Sequence, residues 1–428
     1  MMTGMRLSAL SRYRDKALAL WGVATLSFMA AMSITSPLFA LCCLCVPKKD
    51  RKSLFRSPDR LFTWASWAYF LIAVVSIVQA HLWPPLGLAP DVGVSGLKKF
   101  LYFALPFLTA STLLDTSAKK RFERHILWRW LYWTAVFVSL VGIVQFWGSY
   151  LFPESWLEDR FFRVVATNFR PSVYHAQGLM YFHLSFASAL GFVCSYAWAR
   201  VLWPLSDDTG KERLAWLFLT LVSSLALFFA YSRIGWLALI LIPILLGFLR
   251  WPRWGWAITA VFVLAGLGIW SSSSNMRERW NAGLIPIRER EEVWAGALAM
   301  VRDRPLLGVG FGGTGRYSGP YEEKVLGRKP LFSSHAHNNV LDVLASTGIL
   351  GLLAFLAWWI ALARQAWLAY RASPQKERWL PAACLAALVA FQVNGLTQVN
   401  FADAKSQHSL MLWAGVVLAL GLRRQQRK

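Results

Sequence analysis

Long apolar runs alternate with short hydrophilic gaps along nearly all of the 428 residues. The hydrocarbon core of a bilayer is about 30 Å thick, so a helix needs about 20 mostly apolar residues to cross it. The composition agrees with repeated crossing, because 56% hydrophobic residues and 24 tryptophans exceed what an ordinary soluble domain carries. The sequence therefore predicts an all-α polytopic membrane protein, with a single integral membrane domain over residues 1–428.

The apolar runs predict about twelve transmembrane helices. They cover residues 17–32, 35–47, 61–82, 97–114, 126–149, 175–203, 212–230, 233–249, 254–272, 337–363, 379–399 and 406–422. The first two are short, and one re-entrant hairpin would also fit them. Basic residues precede the first run as in a signal peptide, but a second apolar run follows without a clear cleavage site. We therefore predict that the first helix is retained.

Positive charge is concentrated in a subset of the gaps. The net charge of +23 at first suggests nucleic acid. The cations instead cluster beside apolar runs, at residues 48–60, 119–124, 250–253, 364–378 and 423–428. With twelve spans these clusters lie on one side together with both termini, and the positive-inside rule makes that side the cytoplasm. We therefore predict cytoplasmic termini and no nucleic-acid partner.

One gap, residues 273–336, is much longer than the others and lies on the outer side. Long loops are uncommon in compact proteins and often carry function. The segment from Ile285 to Pro305 is predicted to form an amphipathic helix, which Pro305 and Gly308 end. Arg288 and Arg302 are separated by close to four turns, so we expect them to share a face of this helix.

The cysteine pattern gives no sign of disulfides or of zinc. Cys42, Cys43, Cys45, Cys194 and Cys384 all lie in apolar runs, where they are predicted to be small embedded hydrophobes. The H-x-H spacing of two histidines near residue 336 resembles a ligand pair. No Cys or carboxylate accompanies it at a usual ligand spacing, so we predict no metal site.

A polar cluster, His335 to Asn339, immediately precedes an apolar helix on the predicted outer side. A helix N-terminus carries partial positive charge and free N–H groups, which favour an anion and disfavour a protonated imidazole. A neutral His337 there is suited to act as a general base. The alternative is a capping cluster, in which Ser334, Asn338 or Asn339 satisfies the helix end.

Arginines also gather on the outer side. Arg233 lies in a very tight turn between two apolar spans, where it would meet an anion or snorkel to the lipid headgroups. Arg288 and Arg290 lie in the loop helix, and an ion pair from Arg288 to Glu292 would account for the first of them. A further group, Arg170 and His175, begins another span. Guanidinium groups bind phosphate oxygens well, so these residues would suit a lipid-linked diphosphate.

The glycine-rich segment GVGFGGTG, residues 308–315, invites comparison with a nucleotide-binding loop. No Lys-Ser/Thr pair follows it, and no strand–helix context surrounds it. Its predicted position is also on the outer side, where nucleotides are scarce. We therefore interpret it as a flexible connector.

Three motifs together resemble the O-antigen ligase and polymerase superfamily, the group with the Wzy-type C-terminal domain. They are Ser232-Arg233 after an apolar span, R-x(5)-W-x(9)-D-x-P-L-L-G-V-G from Arg288 to Gly310, and HNNVLDVLASTGILG from His337 to Gly351. Each motif alone is weak, but their order and spacing are fairly specific. The resemblance covers about residues 210–400, and the N-terminal half matches in topology alone.

The resemblance implies a glycosyltransferase of the Gram-negative inner membrane, with its active site facing the periplasm. That family transfers glycans from undecaprenyl diphosphate, and its ligase branch attaches O-antigen to the lipid A–core oligosaccharide without metal or nucleotide. By motif, His337 resembles the catalytic histidine, and Arg233 and Arg288 resemble the diphosphate-binding arginines. Position and charge add six candidates for substrate binding, namely Arg170, His175, Arg290, Arg302, His335 and Asn338. Asn338 would orient the imidazole or an acceptor hydroxyl, or cap the helix.

The implied partners are undecaprenyl-diphosphate-linked O-antigen, lipid A–core oligosaccharide and membrane lipid, and no cofactor is implied. Three alternatives remain open: an O-antigen polymerase, a protein O-oligosaccharyltransferase and a secondary transporter. Transporters usually place charged residues or interrupted helices near the membrane midplane, in two related halves. Here the unusual polar residues lie at the outer surface, and no repeat is evident.

Overall fold

The computed structural model describes most of the chain as helices joined by short connections. The described residues are 2–27, 29–45, 54–89, 102–117, 125–157, 162, 174–180, 182–274, 277, 284–330, 333 and 335–427. Side chains are described for all of these except residues 2–12, 116–117, 154 and 284–289. Within these ranges the chain forms helices and no strand, which confirms the all-α polytopic class.

Fourteen helices of more than four residues form the described fold. They are α1 Met2–Ala24, α2 Met29–Leu44, α3 Arg60–Leu82, α4 Leu105–Ser117, α5 Ile126–Phe146, α6 His183–Leu202, α7 Gly210–Phe229, α8 Arg233–Arg250, α9 Gly255–Ser272, α10 Leu284–Asp303, α11 Thr314–Leu326, α12 Asn339–Ala372, α13 Trp379–Asn394 and α14 Ala404–Gln426. Shorter turns of helix are Pro85–Gly87, Gly148–Leu151, Glu154–Trp156 and Gln375–Glu377.

All helices except α10 and α11 overlap the predicted spans. Seven helices of the described chain are long and apolar enough to cross a membrane, and α2 and α13 are shorter apolar helices. The seven are α3, α5, α6, α7, α8, α9 and α12. Helix α6 lies at the centre of the bundle, because 83% of its apolar 18-residue stretch is buried. Helix α9 lies at the edge, because the corresponding share is 6%. Its neighbours therefore hold α6 far more tightly than α9 is held.

Three predicted boundaries differ from those of the structure. The first span, residues 17–32, is divided by a turn between α1 and α2. The span 175–203 begins only at His183, because residues 174–180 run beside the preceding helices as a non-helical segment. The span 379–399 ends at Asn394, since the chain then turns to pair with the start of α12.

Helix α12 is interrupted at Gly348, which has φ +66° and ψ −169°. The segment after α10 enters this break and forms four backbone hydrogen bonds with it. Val309 N–H donates to the Ala345 carbonyl at 2.9 Å, and Gly310 N–H donates to the Ser346 carbonyl at 3.0 Å. On the far side of the break, the N–H of Ile349 and that of Leu350 donate to the carbonyls of residues 305 and 306. Residues 308–310 are therefore a fixed joint, and the interpretation of this stretch as a flexible connector was wrong.

The long segment between α9 and α12 holds two helices, of which the sequence predicted one. Helix α10 matches the predicted amphipathic helix closely, and α11 was missed because its Gly and Pro content hides its apolar stripe. The two helices pack on each other and on the start of α12 through a small core of their own. Its buried members are Ala297, Met300, Val309, Tyr317, Tyr321, Ala336 and Ala345. This core fixes α10 beside the polar cluster that opens α12.

Candidate functional site

The start of α12 is capped by a side chain of the polar cluster. Asn338 is the N-cap residue, and its side-chain oxygen accepts a hydrogen bond from the Leu341 N–H at 3.0 Å. Its amide nitrogen donates to the Leu396 carbonyl at 3.1 Å. Capping, one of the two roles considered for Asn338, is therefore present in the structure. Its role as a substrate ligand stays a prediction.

The neighbours of His337 are anchored on both sides. Trp294 of α10 donates its indole N–H to the Ala336 carbonyl at 2.8 Å. Asn339 donates its backbone N–H to the Gly395 carbonyl at 2.8 Å, and its side-chain oxygen accepts from the Phe401 N–H at 3.0 Å. The imidazole of His337 therefore projects from a segment that α10 and the turn after α13 hold in place.

The backbone of His337 adopts an unusual conformation, with φ +48°. Positive φ is uncommon for residues other than glycine and costs about 1–3 kcal/mol where the surroundings impose it. Among the described residues, Leu86 and Tyr231 are the other non-glycine examples, and Tyr231 lies two residues before Arg233. Strained backbone is therefore present beside both the histidine and the arginine that the motifs single out.

Arg233 is the first residue of α8, directly after the tight turn from α7. Ser232 caps the helix by accepting a hydrogen bond from the Gly235 N–H at 3.3 Å. His175 stabilises the same turn, because its Nδ1–H donates a hydrogen bond to the Ala230 carbonyl at 2.9 Å. The ring of His175 is buried and stacks on His183, with ring centroids 3.9 Å apart. His175 therefore packs against the turn that precedes Arg233, and its contact with substrate stays a prediction.

Arg290 connects the arginine turn to the histidine. Burial lowers the pKa of the Arg290 guanidinium, and the nearby charge of Arg233 lowers it further. The charge of Arg290 in turn acts on the imidazole of His337. Arg290 of α10 therefore lies within electrostatic reach of Arg233, at the start of α8, and of His337, at the entry to α12. A site with two cations and a neutral imidazole is suited to a multiply charged anion such as a diphosphate.

The pKa of His337 is lowered to about 4, mainly because burial disfavours the charged imidazolium. The neighbouring His335 and the positive charge of Arg290 lower this pKa further. The rings of His335 and His337 have centroids 4.5 Å apart. At neutral pH the imidazole of His337 is therefore uncharged and able to accept a proton.

The other predicted site residues have different outcomes. The backbone of Arg288 belongs to α10, but its side chain lies outside the described part, and the whole of Arg170 lies outside the described residues. Arg302 is exposed near the end of α10, about 18 Å along the helix axis from Arg290. Roles for these arginines in substrate binding stay predictions. Arg290, which the motifs did not single out, is a loop arginine whose charge acts on His337.

Glu292, the acid proposed to pair with Arg288, has a partner elsewhere in the chain. Glu292 accepts a hydrogen bond from Arg328, which follows α11. This pair joins the two loop helices rather than two turns of one helix. The carboxylate of Glu292 therefore serves the packing of α10 on α11.

Sequence reasoning missed two residues that shape the site. Trp294 is the tryptophan of the motif from Arg288 to Gly310, and the motif gave it no role. In the structure its indole N–H donates a hydrogen bond to the carbonyl of Ala336. Asp342, in the first turn of α12, accepts a hydrogen bond from Thr314 Oγ1 at 2.7 Å and so ties α12 to α11. Both belong to the long motifs, but only the fold shows which partners they meet.

A metal site would need several coordinating side chains close together. Within the part of the chain that the structure describes, no three His, Cys, Asp or Glu side chains come together as a metal site requires. The two histidines of the cluster, His335 and His337, pack ring against ring instead. The geometry of the described site is thus built from imidazole, guanidinium and helix-end groups.

Comparison with known proteins identifies the central part of the chain. Residues 218–356 match the family described as O-antigen ligase. This range begins within α7 and ends within α12, so it contains Arg233, Arg290 and His337. It lies inside the region, residues 210–400, over which the motifs resemble that family.

An individual relative points the same way. An O-antigen ligase of Pseudomonas aeruginosa strain PAO1 is 30% identical over 141 residues, which is 32% of this chain. The same alignment covers 31% of the relative, so the chain matches about a third of the relative's length. The family suspected from the three motifs is thereby confirmed over this part of the chain.

Proposed function

We propose that this chain, which carries the O-antigen ligase family segment over residues 218–356, is a glycosyltransferase that joins O-antigen to lipid A–core oligosaccharide. The donor in this proposal is O-antigen linked to undecaprenyl diphosphate. The reaction takes place at the outer, periplasmic end of the helices in the inner membrane. It requires no nucleotide and no metal.

One observation carries the proposal: Arg290 lies within electrostatic reach of both Arg233 and His337, close to the start of α12. Glycosyl transfer from a lipid diphosphate needs a base for the acceptor hydroxyl and cations for the leaving group. A half-buried, neutral imidazole near Arg290, which in turn lies near Arg233, supplies both. All three residues lie within the segment that matches the ligase family.

The arginines bind the donor in the first part of the proposed reaction. Arg233 and Arg290 contact the oxygens of the diphosphate, and Arg288 joins them by the resemblance of its motif. The bound anion offsets the repulsion between Arg233 and Arg290 that lowers the pKa of Arg290 in the free protein. Donor binding is therefore favourable because the diphosphate brings negative charge to guanidinium groups that repel each other in the free protein.

His337 acts in the second part. A ring nitrogen of the neutral imidazole takes the proton of an acceptor hydroxyl while the hydroxyl oxygen bonds to the anomeric carbon of the donor. The bond from that carbon to the diphosphate oxygen breaks at the same time, and its electron pair leaves with undecaprenyl diphosphate. A single displacement of this kind inverts the anomeric configuration. The negative charge of the bound diphosphate also raises the pKa of His337, which makes it a better base in the complex.

Ligation by purified protein tests the proposal. Undecaprenyl-diphosphate-linked O-antigen and lipid A–core are supplied in liposomes with EDTA and without nucleotide. The mobility of the core oligosaccharide on a gel reports transfer. A shift of the core to the size of the O-antigen conjugate is the expected result.

Two other outcomes would replace the proposal with one of its relatives. If the core stays unchanged while the lipid-linked glycan lengthens, the protein is a polymerase. If the glycan instead appears on an added acceptor protein, the enzyme is a protein O-oligosaccharyltransferase.

A third outcome would point to a different class of protein. No transfer to any acceptor, together with flux of the lipid-linked glycan across the liposome membrane, would indicate a transporter.

A further inference from the structure

Helix α7 ends in a strained turn, and Arg233 follows that turn. A helix commonly ends at a glycine in the left-handed region, because glycine has no Cβ to clash there. The residue in that position after α7 is Tyr231, with φ +55°. A backbone of this kind in a residue other than glycine persists only where the surroundings impose it. Whatever holds this turn therefore also determines where the side chain of Arg233 starts.

The last carbonyls of a helix have no partner inside the helix. At the end of α7 a separate segment, residues 174–180, supplies donors for two of them. The Ala176 N–H donates to the Phe229 carbonyl at 3.0 Å. His175 donates to the Ala230 carbonyl, with its Nδ1 2.9 Å from the oxygen. A carbonyl oxygen cannot donate, so His175 must carry a proton on Nδ1.

The same segment is anchored on its other side. Gln145 of α5 is fully buried and makes two hydrogen bonds of 3.0 Å to the backbone of residues 177–178. Lys405 of α14 donates to the Met180 carbonyl at 2.6 Å. The segment therefore connects α5 and α14 to the turn at the end of α7.

We propose that His175 is a positioning residue for the donor, which holds Arg233 in the place where Arg233 binds the diphosphate. The hydrogen bond to Ala230 helps to maintain the strained backbone of Tyr231, from which the chain leads into Arg233. This role rests on the proposed function, because that function makes Arg233 a ligand of the donor diphosphate. It differs from the direct contact with substrate that the sequence predicts for His175.

The two roles of His175 use different atoms of its imidazole. Nδ1 is engaged with the Ala230 carbonyl, so a direct contact with substrate would use Nε2. An asparagine in this position places its amide N–H group near the site of Nδ1, whereas a glutamine places its amide near the site of Nε2. The variants His175→Asn and His175→Gln therefore separate positioning from contact.

Binding of undecaprenyl diphosphate to the full-length protein in detergent, measured as Kd, tests the proposal without relying on glycan transfer. We expect His175→Gln to raise this Kd about tenfold, and His175→Asn to stay within about twofold of the wild type. His81→Gln is the matched control and should leave Kd unchanged. His81 is an exposed histidine at the end of α3, and its Nδ1 lies 2.9 Å from the Ile77 carbonyl of the same helix.

A double variant shows whether His175 acts through Arg233. Arg233→Gln should weaken binding of undecaprenyl diphosphate, and the addition of His175→Gln should then cause little further loss, because the group that His175 positions is absent. Full additivity of the two losses would overturn the proposal, since His175 would then contact the donor independently of Arg233.

Two further results would overturn the proposal. They are a wild-type Kd for His175→Gln, and a loss of affinity in His175→Asn as large as in His175→Gln. If His175→Gln does not fold, His175→Asn still decides: a wild-type Kd supports the role of Nδ1, and a clearly weaker one contradicts it.

Failure of the proposed function would look different. If Arg233→Gln binds undecaprenyl diphosphate as tightly as the wild type, the proposed donor site falls, and the role of His175 falls with it. If binding depends on Arg233 but neither variant of His175 changes it, the positioning role alone is overturned.

Discussion

His337 combines a strained backbone, a neutral imidazole and firmly anchored neighbours. Its φ of +48° is maintained because Trp294 holds the residue before it and Asn338 caps the helix after it. Burial and the charge of Arg290 keep the ring unprotonated. We therefore expect the activity of the protein to respond to pH and to the charge of the residues near His337.

The first prediction concerns pH. Because the pKa of His337 lies near 4 in the free protein, kcat/KM for the donor should stay level from pH 8 to about 5 and fall only in more acidic solution. Under saturating donor the diphosphate offsets the arginine charges, so the acid limb of kcat should lie at higher pH. Initial rates of ligation over this pH range measure both limbs.

The Arg290→Gln variant provides the control for this prediction. It removes one of the positive charges that disfavour the imidazolium, so the acid limb of kcat/KM should move upward, toward the ordinary histidine pKa of about 6.5. An acid limb already near pH 6.5 in the wild type would contradict the account. So would a limb that Arg290→Gln leaves in place.

A second prediction concerns the indole of Trp294. Trp294→Phe keeps an aromatic ring but removes the N–H that holds the Ala336 carbonyl. Misplacement of a catalytic group by a fraction of an ångström to one ångström slows a reaction, and we expect kcat to fall about tenfold to hundredfold. Steady-state ligation kinetics measure the effect. Trp256→Phe is the matched control and should leave kcat unchanged, because Trp256 is exposed on α9. An equal fall in kcat in both variants would contradict a positioning role for Trp294.

Single residues of the site were predictable to different degrees. The polar cluster before an apolar helix was visible in the sequence, and so was the arginine after the tight turn. The partner of Trp294 was not, because it lies 42 residues away along the chain and is a backbone carbonyl. The closeness of Arg290 to His337 also depends on how α10 rotates against α12, which periodicity alone does not determine.

At the scale of elements, the joint between the loop and α12 determines where the site lies. Gly348 breaks α12, and residues 305–310 fill the break with backbone hydrogen bonds. A Cβ on Gly348 would lie 2.2 Å from the carbonyl carbon of Leu306, and one on Gly308 would lie 2.4 Å from that of Ser346. Two glycines, far apart in the sequence, therefore allow two backbones to touch.

The third prediction concerns this joint. Gly348→Ala adds a methyl group against backbone and requires an alanine at φ +66°, so we expect destabilisation of about 3 kcal/mol and a clearly lower Tm. Thermal unfolding of the purified protein in detergent measures the change. Gly268→Ala is the matched control, because nothing lies within 4 Å of its added Cβ in α9. Similar Tm values for the two variants would contradict the claim that Gly348 is needed where residues 305–310 contact α12.

Elements were predictable where apolar runs had no polar competitor. The long helices α3, α5, α7, α8 and α9 match their predicted spans closely. The start of α6 was misplaced because Gln145 of α5 hydrogen-bonds to residues 177 and 178, which holds that stretch out of the helix. Contacts of this kind come from distant parts of the chain, and a local pattern of hydrophobicity does not contain them.

At the scale of the whole molecule, the two ends of the bundle differ in chemistry. The His337 end carries the loop helices and the proposed site, and the other end carries a cleft that is lined in part by Arg423, Arg424 and Arg427. The charge pattern of the sequence predicts that the second end faces the cytoplasm. The orientation of the molecule is therefore testable with one residue at each end.

The fourth prediction concerns this orientation. In a Cys45→Ser background, which removes the exposed native thiol, cysteines are introduced separately at the exposed positions Arg302 and Lys376. A thiol reagent that penetrates the outer but not the inner membrane should label Arg302→Cys in intact cells. It should label Lys376→Cys only after the inner membrane is opened. The reverse pattern would invert the topology and remove the site from the periplasm.

The most direct test of the central claim compares ligation by the wild type and by His337→Ala in the same liposomes, with donor and core at saturation. We expect His337→Ala to fold with an unchanged Tm and still to bind the lipid-linked donor, but to transfer glycan about 10³-fold more slowly, as loss of a general base requires. Transfer by His337→Ala at the wild-type rate would show that His337 is structural and that the base lies elsewhere.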